Sequence, residues 1–522
     1  NPSSKTITPG TSTVTVSDSI LGNNTFNNLI IPSGSLFKFE AGKTQTVNGT
    51  FTATNSILSS STQGTQWNID VASANASVST VQVEDSNSTN PITPTGTCTN
   101  LGNNINWDIS STYRWKTTAA TTAWATASNW ELNTTGSTWI TATRYPGQDA
   151  ADTVTIPAAT NSPAYSGSSD ITLLKITVGS ATDSDAGLAL SGSGSILLSA
   201  ASNALLNYGT VYYESTGRIK DNAATPALIM DVARGTVQYN AGAVSVSDIG
   251  TTDYYNLIIN GTGHTLAGAI TVANNFTLKN SSSIITATGS SLTVTGASSL
   301  GGSIATDGNQ VYAEAVTLTA DSVLDADTSN ITFSAAISGA DKNLTVTGAG
   351  ASFAAVTNVN TLTLNAASTL GANVSVKNWA NPSSKTITPG TSTVTVSESV
   401  SGDNNFYNLT VYDGATVSFE AGSTQTISGT FTAGGTTGSV LQSSVNGTQW
   451  TINVASANTA VSNVSVKDSN SVNVITPTGT NVNLGNNINW DIGSSYRWVG
   501  GTSSAWMTAA NWQMKTTGTT WI

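Results

Sequence analysis

Short runs in which apolar and hydroxyl-bearing residues alternate are the feature that most constrains this chain. Such runs lie at 13–17, 292–295, 344–347 and 361–364, and each places Val or Leu on one face and Thr or Ser on the other. Alternation with a period of two is typical of a β-strand with one buried face. Clusters of Gly, Asn, Asp and Ser separate the runs, as turns require. No helical apolar stripe interrupts this pattern, so the sequence predicts an all-β fold.

Two all-β architectures are compatible with these runs: a parallel β-helix (solenoid) built from tandem repeats, and a string of β-sandwich domains. Within residues 290–376 the runs are closely spaced, with no long Greek-key connection and no Cys-Trp-Cys core pattern. A smaller motif, in which an aromatic residue precedes Asn-Leu by two positions, recurs at 26–29, 254–257 and 406–409. The close spacing favours the parallel β-helix, and the string of sandwiches stays as the alternative.

A long internal repeat organises the chain. Residues 1–17 recur without a change at 381–397, and the similarity continues until Thr520-Trp521-Ile522, which matches Thr138-Trp139-Ile140. We therefore expect one period and a fraction of a tandem array that continues beyond both ends. The expected segments are β-solenoid module A at 1–112, a Trp-rich junction at 113–157, β-solenoid module B at 158–380, a repeat of module A at 381–495, and a truncated repeat of the junction at 496–522.

The charge of the chain restricts its partners. Asp, Glu, Lys and Arg make up 9% of the residues, against about 25% in an average soluble protein. The net charge is −12, so we expect no phosphate-binding surface and no nucleic-acid partner. Apolar runs are far shorter than the roughly 20 residues that a transmembrane helix needs, so no membrane span is expected. Low ionic content also weakens repulsion between copies, which favours self-association or contacts between neighbouring repeats.

Tryptophan is concentrated in the junction and its repeat. The candidate structural residues are Trp115, Trp124, Trp130, Trp139, Trp498, Trp506, Trp512 and Trp521. Exposed indoles can stack on sugar rings, which would make glycans a ligand, but a buried indole also removes a large apolar area from water at little entropic cost. We interpret these residues as structural. We expect Trp115, Trp130, Trp498 and Trp512 to be buried and to anchor the junction between modules A and B.

The junction resembles a block found in large secreted bacterial surface proteins. In that block, tryptophans precede an Asn-Trp pair, a Pro-Gly turn and an Asp-x-Val-x-Ile-Pro strand, and here these are Asn129-Trp130, Tyr145-Pro146-Gly147 and residues 152–157. The second copy also has Trp498-Val499-Gly500-Gly501, whereas Lys116-Thr117-Thr118 replaces the glycines in the first. The resemblance implies a β-helical stretch similar to filamentous haemagglutinin-type adhesins. It also implies an extracellular location, at the cell surface or in a filament.

Few residues in this chain can support nucleophilic or metal chemistry. A Ser-His-Asp arrangement needs a histidine, and the chain has one, His264, between Gly261 and Leu266. We interpret His264 as a turn residue. The chain also has one cysteine, Cys98, which aligns with Asn481 in the second copy. One His and one Cys do not make a zinc site, and the alignment indicates that the thiol has no required role.

Two pairs of carboxylates remain as candidates. Asp183 with Asp185, and Asp325 with Asp327, are spaced so that both side chains of a pair can point to one face of a strand. Paired carboxylates serve glycoside hydrolysis and calcium binding. Solvated turns are the simpler interpretation, so we expect no cofactor and no catalytic residue, and calcium stays open as a ligand.

The sequence thus predicts a non-catalytic structural repeat unit of an extracellular bacterial filament, sheath or surface stalk. Such a unit works through stiffness and through end-to-end or tandem assembly. The alternative is a carbohydrate-binding adhesin that uses the Trp-rich segments. A more remote alternative is a β-helical enzyme that degrades polysaccharides.

Overall fold

The computed structural model divides into two compact units. The first comprises Asn1–Ala241 with Asp248–Thr251, and the second comprises Gly242–Ser247 with Thr252–Ile522. The structure describes residues 8–96, 98–107, 109, 111–133, 139–142, 145–148, 150–200, 204–221, 235–240, 242, 244–246, 253–493, 496–501, 504–517 and 520–521. Strands stack in parallel in each unit, and the solenoid turns number about 21. The predicted parallel β-helix is therefore confirmed over the string of sandwiches, while the five expected segments stay a prediction.

Alternating burial explains why the sequence forms these strands. In Leu36–Phe39, both phenylalanines are fully buried whereas Leu36 is 72% exposed. In Thr44–Val47 the inward positions are Gln45 and Val47. Because successive side chains of a strand point to opposite faces, each strand adds one row to the core and one row to the surface.

In the first unit, the strands up to residue 107 form three parallel sheets around one core, and successive strands along the chain visit the sheets in turn. The first sheet contains Thr13–Thr15, Asn28–Ile31, Phe51–Thr54 and Ala76–Ser79; the second contains Ser19–Ile20, Leu36–Phe39, Ile57–Ser60, Gln82–Glu84 and Thr99–Gly102; the third contains Asn24–Phe26, Thr44–Val47, Trp67–Val71, Ser86–Ile92 and Ile105–Trp107.

The remaining strands of the first unit continue this pattern, with an antiparallel extension on one sheet. The extended sheet contains Trp139–Thr141, Trp130–Asn133, Thr112–Trp115, Thr153–Ile156, Lys175–Val178 and Leu205–Asn207; a second group contains Ala164–Tyr165, Gly187–Leu190, Thr210–Tyr213 and Thr236–Tyr239; a third contains Ile171–Leu173, Ile196–Leu198 and Ile219–Asp221.

The second unit is built from strands that pair in parallel with the strands of the next turn. Its main sheet contains Ser245–Val246, Asp253–Tyr254, Asn256–Ile259, His264–Leu266, Ala269–Val272, Phe276–Leu278, Ser283–Ile285, Ser291–Val294, Ser298–Leu300, Ser303–Ala305, Gln310–Tyr312, Val316–Leu318, Ser322–Asp325, Asn330–Phe333, Ile337–Phe353, Val356–Leu370, Val374–Ala380, Ile387–Thr388, Thr393–Ser401, Asn408–Val411, Thr416–Phe419, Phe431–Ser443, Thr459–Val466 and Val482–Asn483.

Two smaller sheets complete the second unit. One is parallel and contains Asn404–Phe406, Thr424–Ile427, Trp450–Val454, Ser469–Ile475 and Ile488–Trp490; the other is antiparallel and contains Tyr496–Trp498, Trp512–Thr517 and Thr520–Trp521. The helices in the described part of the chain are short 3-10 turns at Ser73–Asn75, Ala127–Asn129, Ser456–Asn458 and Ala509–Asn511. Over the described residues, no helix has the length and apolar character needed to cross a membrane.

Stacked aromatic rings show how closely successive turns follow one another. In the second unit, Tyr312 and Phe333 lie with ring centroids 5.2 Å apart, and Phe333 and Phe353 lie 5.3 Å apart. The ring planes differ by only 12° and 18°. These separations are close to the spacing of about 4.8 Å between neighbouring strands, so each ring packs on its counterpart in the next turn.

The two copies of module A repeat their core contacts. Phe39 stacks on Trp67 with ring centroids 3.7 Å apart, and Phe419 stacks on Trp450 at 3.8 Å. All four rings are fully buried. The same sequence therefore builds the same core in each unit.

Candidate functional site

The Trp-rich junction begins as a solenoid strand and then leaves the solenoid. Thr112–Trp115 pairs in parallel with Thr153–Ile156 on one side. On its other side it pairs antiparallel with Trp130–Asn133, which in turn pairs antiparallel with Trp139–Thr141. The described residues 116–133 and 139–142 thus form an excursion from one solenoid strand, and the chain rejoins the parallel stack at residue 153.

Three tryptophans of the first junction pack edge to face. Trp115 and Trp130 lie with ring centroids 4.8 Å apart at 85°, and Trp124 and Trp130 lie 4.7 Å apart at 71°. None of the three is more than 1% exposed. Edge-to-face packing brings the positive ring edge to the negative ring face, which favours this arrangement over a direct sandwich.

The cover over these indoles comes from the chain that follows the excursion. Trp115 Nε1 donates to the carbonyl oxygen of Asn161 at 2.6 Å, and Trp124 Nε1 donates to that of Pro146 at 2.9 Å. The ring of Tyr165 meets Trp124 edge to face, with centroids 6.0 Å apart. The buried indole N–H groups of Trp115 and Trp124 therefore both have acceptors, as buried polar groups require.

The second junction has the same tryptophan arrangement without the same cover. Trp498 and Trp512 lie 5.0 Å apart at 81°, and Trp506 and Trp512 lie 4.4 Å apart at 82°. Trp498 is nevertheless 42% exposed and Trp506 70% exposed. Burial is confirmed for Trp115 and Trp130, whereas the expectation is wrong for Trp498, and Trp512 is only partly buried. The tryptophans of the second junction pack against one another as in the first junction, but no comparable layer covers them among the described residues.

The outermost tryptophan of each junction carries an arginine on its ring. The Arg114 guanidinium lies 4.3 Å from the ring centroid of Trp139, and that of Arg497 lies 4.8 Å from the ring of Trp521. This cation–π contact is present in both copies, although the other side chain that the arginine binds differs. Arg114 forms an ion pair with Glu131, whereas Arg497 donates to the side-chain amide oxygen of Gln513. One face of each ring is thereby occupied, which supports a structural role for both residues.

Two of the acidic candidates accept hydrogen bonds from backbone N–H groups. Asp183 accepts a hydrogen bond of 2.9 Å from the backbone N–H of Ala158. Asp325 Oδ1 accepts one of 2.9 Å from the N–H of Asp327, whose φ is +49°. Asp and Asn tolerate this left-handed conformation better than most residues. Among the described residues, no three His, Cys, Asp or Glu side chains form a group that could hold a metal ion.

The histidine lies in a strand, and its interpretation as a turn residue is wrong. His264 begins His264–Leu266, is fully buried, and points inward together with Leu266. Cys98 is a free thiol. Its Sγ accepts a hydrogen bond of 3.4 Å from the backbone N–H of Val81, and Asn481 Oδ1 accepts the corresponding bond from Val464 at 3.0 Å. The thiol therefore serves as a backbone acceptor, a role that the amide fills in the second copy.

Inward-facing amides are a feature of the core that the sequence analysis did not predict. Asn24 and Gln45 are buried in the first unit, and Asn404 and Gln425 are buried in the second. The sequence signal for the burial of the glutamines is their position in the strand. Each lies two residues before an inward-facing aliphatic residue in an alternating strand, and so on the same face of that strand.

Comparisons with known proteins add no assignment. No protein-family model matches the chain, and neither a curated protein nor a solved structure gave a match. The resemblance of the junction to secreted bacterial surface proteins stays a prediction from its sequence.

Proposed function

We propose that this chain is a non-catalytic structural repeat unit of an extracellular bacterial filament, sheath or surface stalk. It works through stiffness and through tandem or end-to-end assembly. The observation that carries the proposal is the row-by-row repetition of the core within each unit, of which the Tyr312, Phe333 and Phe353 stack is the clearest example. In such a fold, stability is a sum of turns and of contacts between neighbouring turns, so it can be extended by adding repeats.

Stiffness is supported by the density of bonds between turns. Ile337–Phe353 and Val356–Leu370 pair along most of their length, from Ile337 opposite Val356 to Phe353 opposite Leu370. Bending the stack at this point requires backbone hydrogen bonds to lengthen and close-packed core side chains to separate. A chain built in this way resists deformation without a disulfide.

A non-catalytic role is supported by how the candidate carboxylates are used. Asp183 accepts a hydrogen bond from the backbone N–H of Ala158, 25 residues earlier in the chain, and Asp325 accepts one from Asp327 in its own turn. A general acid or base needs a carboxyl group that faces a bound substrate. The extracellular location rests on the resemblance of the junction to secreted surface proteins.

Electron microscopy and light scattering of the purified chain test this proposal. At micromolar concentration we expect fibres, or species heavier than the 53.2 kDa of one chain. A monodisperse single-chain species that forms no fibres would contradict assembly. Turnover of a polysaccharide that is lost in Asp183→Asn or Asp325→Asn would contradict the non-catalytic role.

One observation favours carbohydrate binding as a second candidate function. The rings of Trp498 and Trp506 lie 6.3 Å apart, differ in plane by only 14°, and are both exposed. Exposed aromatic faces can stack on sugar rings. Glycan-array binding that is lost in Trp506→Ala, but kept when the fully buried Phe353 is conservatively changed to Leu, would favour an adhesin.

A further inference from the structure

We propose that the exposed face of the second junction is a docking surface for a second copy of the sequence of residues 145–178, supplied by another repeat. We call this face the open tryptophan face, and it consists of Tyr496, Trp498, Trp506 and Trp512. The inference deepens the proposed structural function and rests on it for its role in assembly. It names the contact through which repeats join.

The first argument is that the open tryptophan face is already arranged to receive a partner. The distances of Trp498 and Trp506 from Trp512 are within about 0.3 Å of those in the covered cluster of the first junction. Trp512 Nε1 donates to the carbonyl oxygen of Trp506 at 2.8 Å, and the corresponding bond of the first junction, from Trp130, is also 2.8 Å. Docking on this face therefore requires little rearrangement, which favours binding.

The second argument is that the first junction identifies the occupant. There the cover lies within residues 145–178, and the backbone of this segment accepts the two indole hydrogen bonds at Pro146 and Asn161. It also bonds to the excursion itself, since the N–H of Ala164 donates to the Thr122 carbonyl at 2.6 Å and the N–H of Trp124 donates to the Ala164 carbonyl at 3.2 Å. Because hydrogen bonds are directional, only a segment whose backbone follows the same path can make all of them.

The third argument is the open edge beside the tryptophans. Among the strands that the structure describes, Tyr496–Trp498 is the edge strand of its antiparallel sheet. The equivalent strand of the first junction pairs in parallel with Thr153–Ile156, where Tyr113 lies opposite Val154. Tyr113 is fully buried whereas Tyr496 is 57% exposed. Addition of a strand to an exposed sheet edge is a recurring mode of segment recognition, and the occupant contains that strand.

A neighbouring position supplies an internal control for the footprint of the occupant. Met507 follows Trp506 and is 93% exposed. Its equivalent, Ala125, is exposed in the first junction even though Trp124 beside it is buried. Docking of the proposed occupant must therefore bury Trp506 and leave Met507 open, whereas nonspecific association would cover both.

The test adds residues 141–178 a second time, in frame after Ile522 of the full chain. The control carries a Gly/Ser linker of equal length, and oxidative footprinting with mass spectrometry reads each residue separately. We expect the oxidation rates of Trp498 and Trp506 to fall several-fold, towards the rate of Trp124 in the same molecule. The oxidation rate of Met507 should stay unchanged.

A matched variant of the added segment separates specific docking from mere proximity. Two substitutions are made in the added segment only: Lys at the position equivalent to Val154, or Ala at the position equivalent to Tyr165. Each should restore the oxidation of Trp506. Trp124 reports in every sample that the first unit is folded. The proposal is overturned if the authentic segment protects Trp506 no better than the linker, or if Met507 is protected equally.

Two further outcomes would also overturn the proposal. Protection of Trp506 in the unextended chain that disappears on dilution would identify self-association through another surface as the cover. Protection by a glycan, but not by the added segment, would identify a sugar platform. Fibres of the extended chain that form without any protection of Trp506 would leave the proposed function standing and remove this contact from it. Protection of Trp506 in the extended chain without fibres would support this contact and contradict assembly into filaments.

Discussion

The side-chain amide of Asn24 donates a hydrogen bond of 2.9 Å to Oε1 of Gln45 inside the first unit, and Asn404 donates the same 2.9 Å bond to Gln425 in the second. Both glutamines are fully buried. Each also donates through Nε2 to a glycine carbonyl at 2.9 Å. These amides link neighbouring turns from within the core, so part of the cohesion of the solenoid is polar and directional.

We expect Asn404→Leu to lower the free energy of unfolding of the second unit by about 3 kcal/mol. Asn404 Oδ1 accepts a hydrogen bond of 2.8 Å from Trp379 Nε1, and Asn404 Nδ2 donates a hydrogen bond to Gln425 Oε1. Leucine can make neither bond, so Trp379 Nε1 and Gln425 Oε1 each lose a hydrogen-bond partner. A buried polar group without a partner costs about 1–3 kcal/mol. Urea unfolding followed by tryptophan fluorescence measures the change.

The neighbouring Asn405 provides the control, because it lies in the same strand but is exposed. Asn405→Leu should change the free energy of unfolding by less than about 0.5 kcal/mol. Equal losses in the two variants would show that the amide network contributes nothing beyond the strand itself.

A comparison between copies predicts a stabilising change at Thr80. Thr80 has a φ of +52°, and its counterpart Asn463 has the same φ. A β-branched residue is strained in this left-handed region, whereas Asn is tolerated there. Asn463 also accepts a hydrogen bond of 2.7 Å from the N–H of Thr480. We expect Thr80→Asn to raise the free energy of unfolding of the first unit by roughly 1 kcal/mol, measured by thermal and urea unfolding.

Two variants check the cause of that gain. Asn463→Thr should produce a loss of similar size in the second unit. Thr52→Asn, within the strand Phe51–Thr54, should give no gain, because Asn is disfavoured in strands. A gain at both threonines would mean that backbone strain at Thr80 is not the reason.

The two tryptophan clusters predict unequal costs of truncation. Trp115 is fully buried, whereas Trp506 is 70% exposed. We expect Trp115→Ala to lower the free energy of unfolding of the first unit by about 3–5 kcal/mol. Trp506→Ala removes little buried area and should cost about 1 kcal/mol or less in the second unit. Losses of equal size would show that the second cluster is as well covered in solution as the first.

The solenoid was predictable because alternation with a period of two is a local property of the sequence. Val14, Leu292 and Leu344 mark strands by their spacing alone. The buried amide of Gln45 was not predictable in this way, because amides are usually exposed. Its burial depends on a hydrogen-bond partner from another turn, which local spacing does not reveal.

The exposure of Trp498 shows a second limit of sequence reasoning. Trp115 and Trp498 occupy equivalent places in nearly identical motifs, so the sequence predicts the same burial for both. Their burial differs because it depends on a layer contributed by residues 145–178, which the motif itself does not contain. His264 illustrates the same limit, since flanking glycines suggested a turn where the chain forms a strand with the imidazole inward.

The last prediction concerns the pH dependence of stability around Glu84. Burial, together with the negative charge of Asp85, raises the pKa of Glu84 above its ordinary value of 4.5. The folded protein therefore holds this proton more tightly than the unfolded chain does, so stability decreases as the pH rises from 4.5 through the raised pKa and then stays lower. Glu84→Gln removes this penalty. We expect it to raise the free energy of unfolding at pH 7 by about 0.5 kcal/mol, a small gain because water screens the partly exposed carboxylate.

The gain from Glu84→Gln should shrink as the pH falls and disappear below about pH 4, where both states of the wild-type protein are protonated. Urea unfolding at a series of pH values between 3.5 and 7.5 measures it, with Glu314→Gln as a control at an exposed site. The second copy carries Lys467 at the position of Glu84, so this place in the fold does not require a carboxylate. A gain that is constant with pH, or one that the control shares, would show that the change acts through packing or through net charge and not through the proton on Glu84.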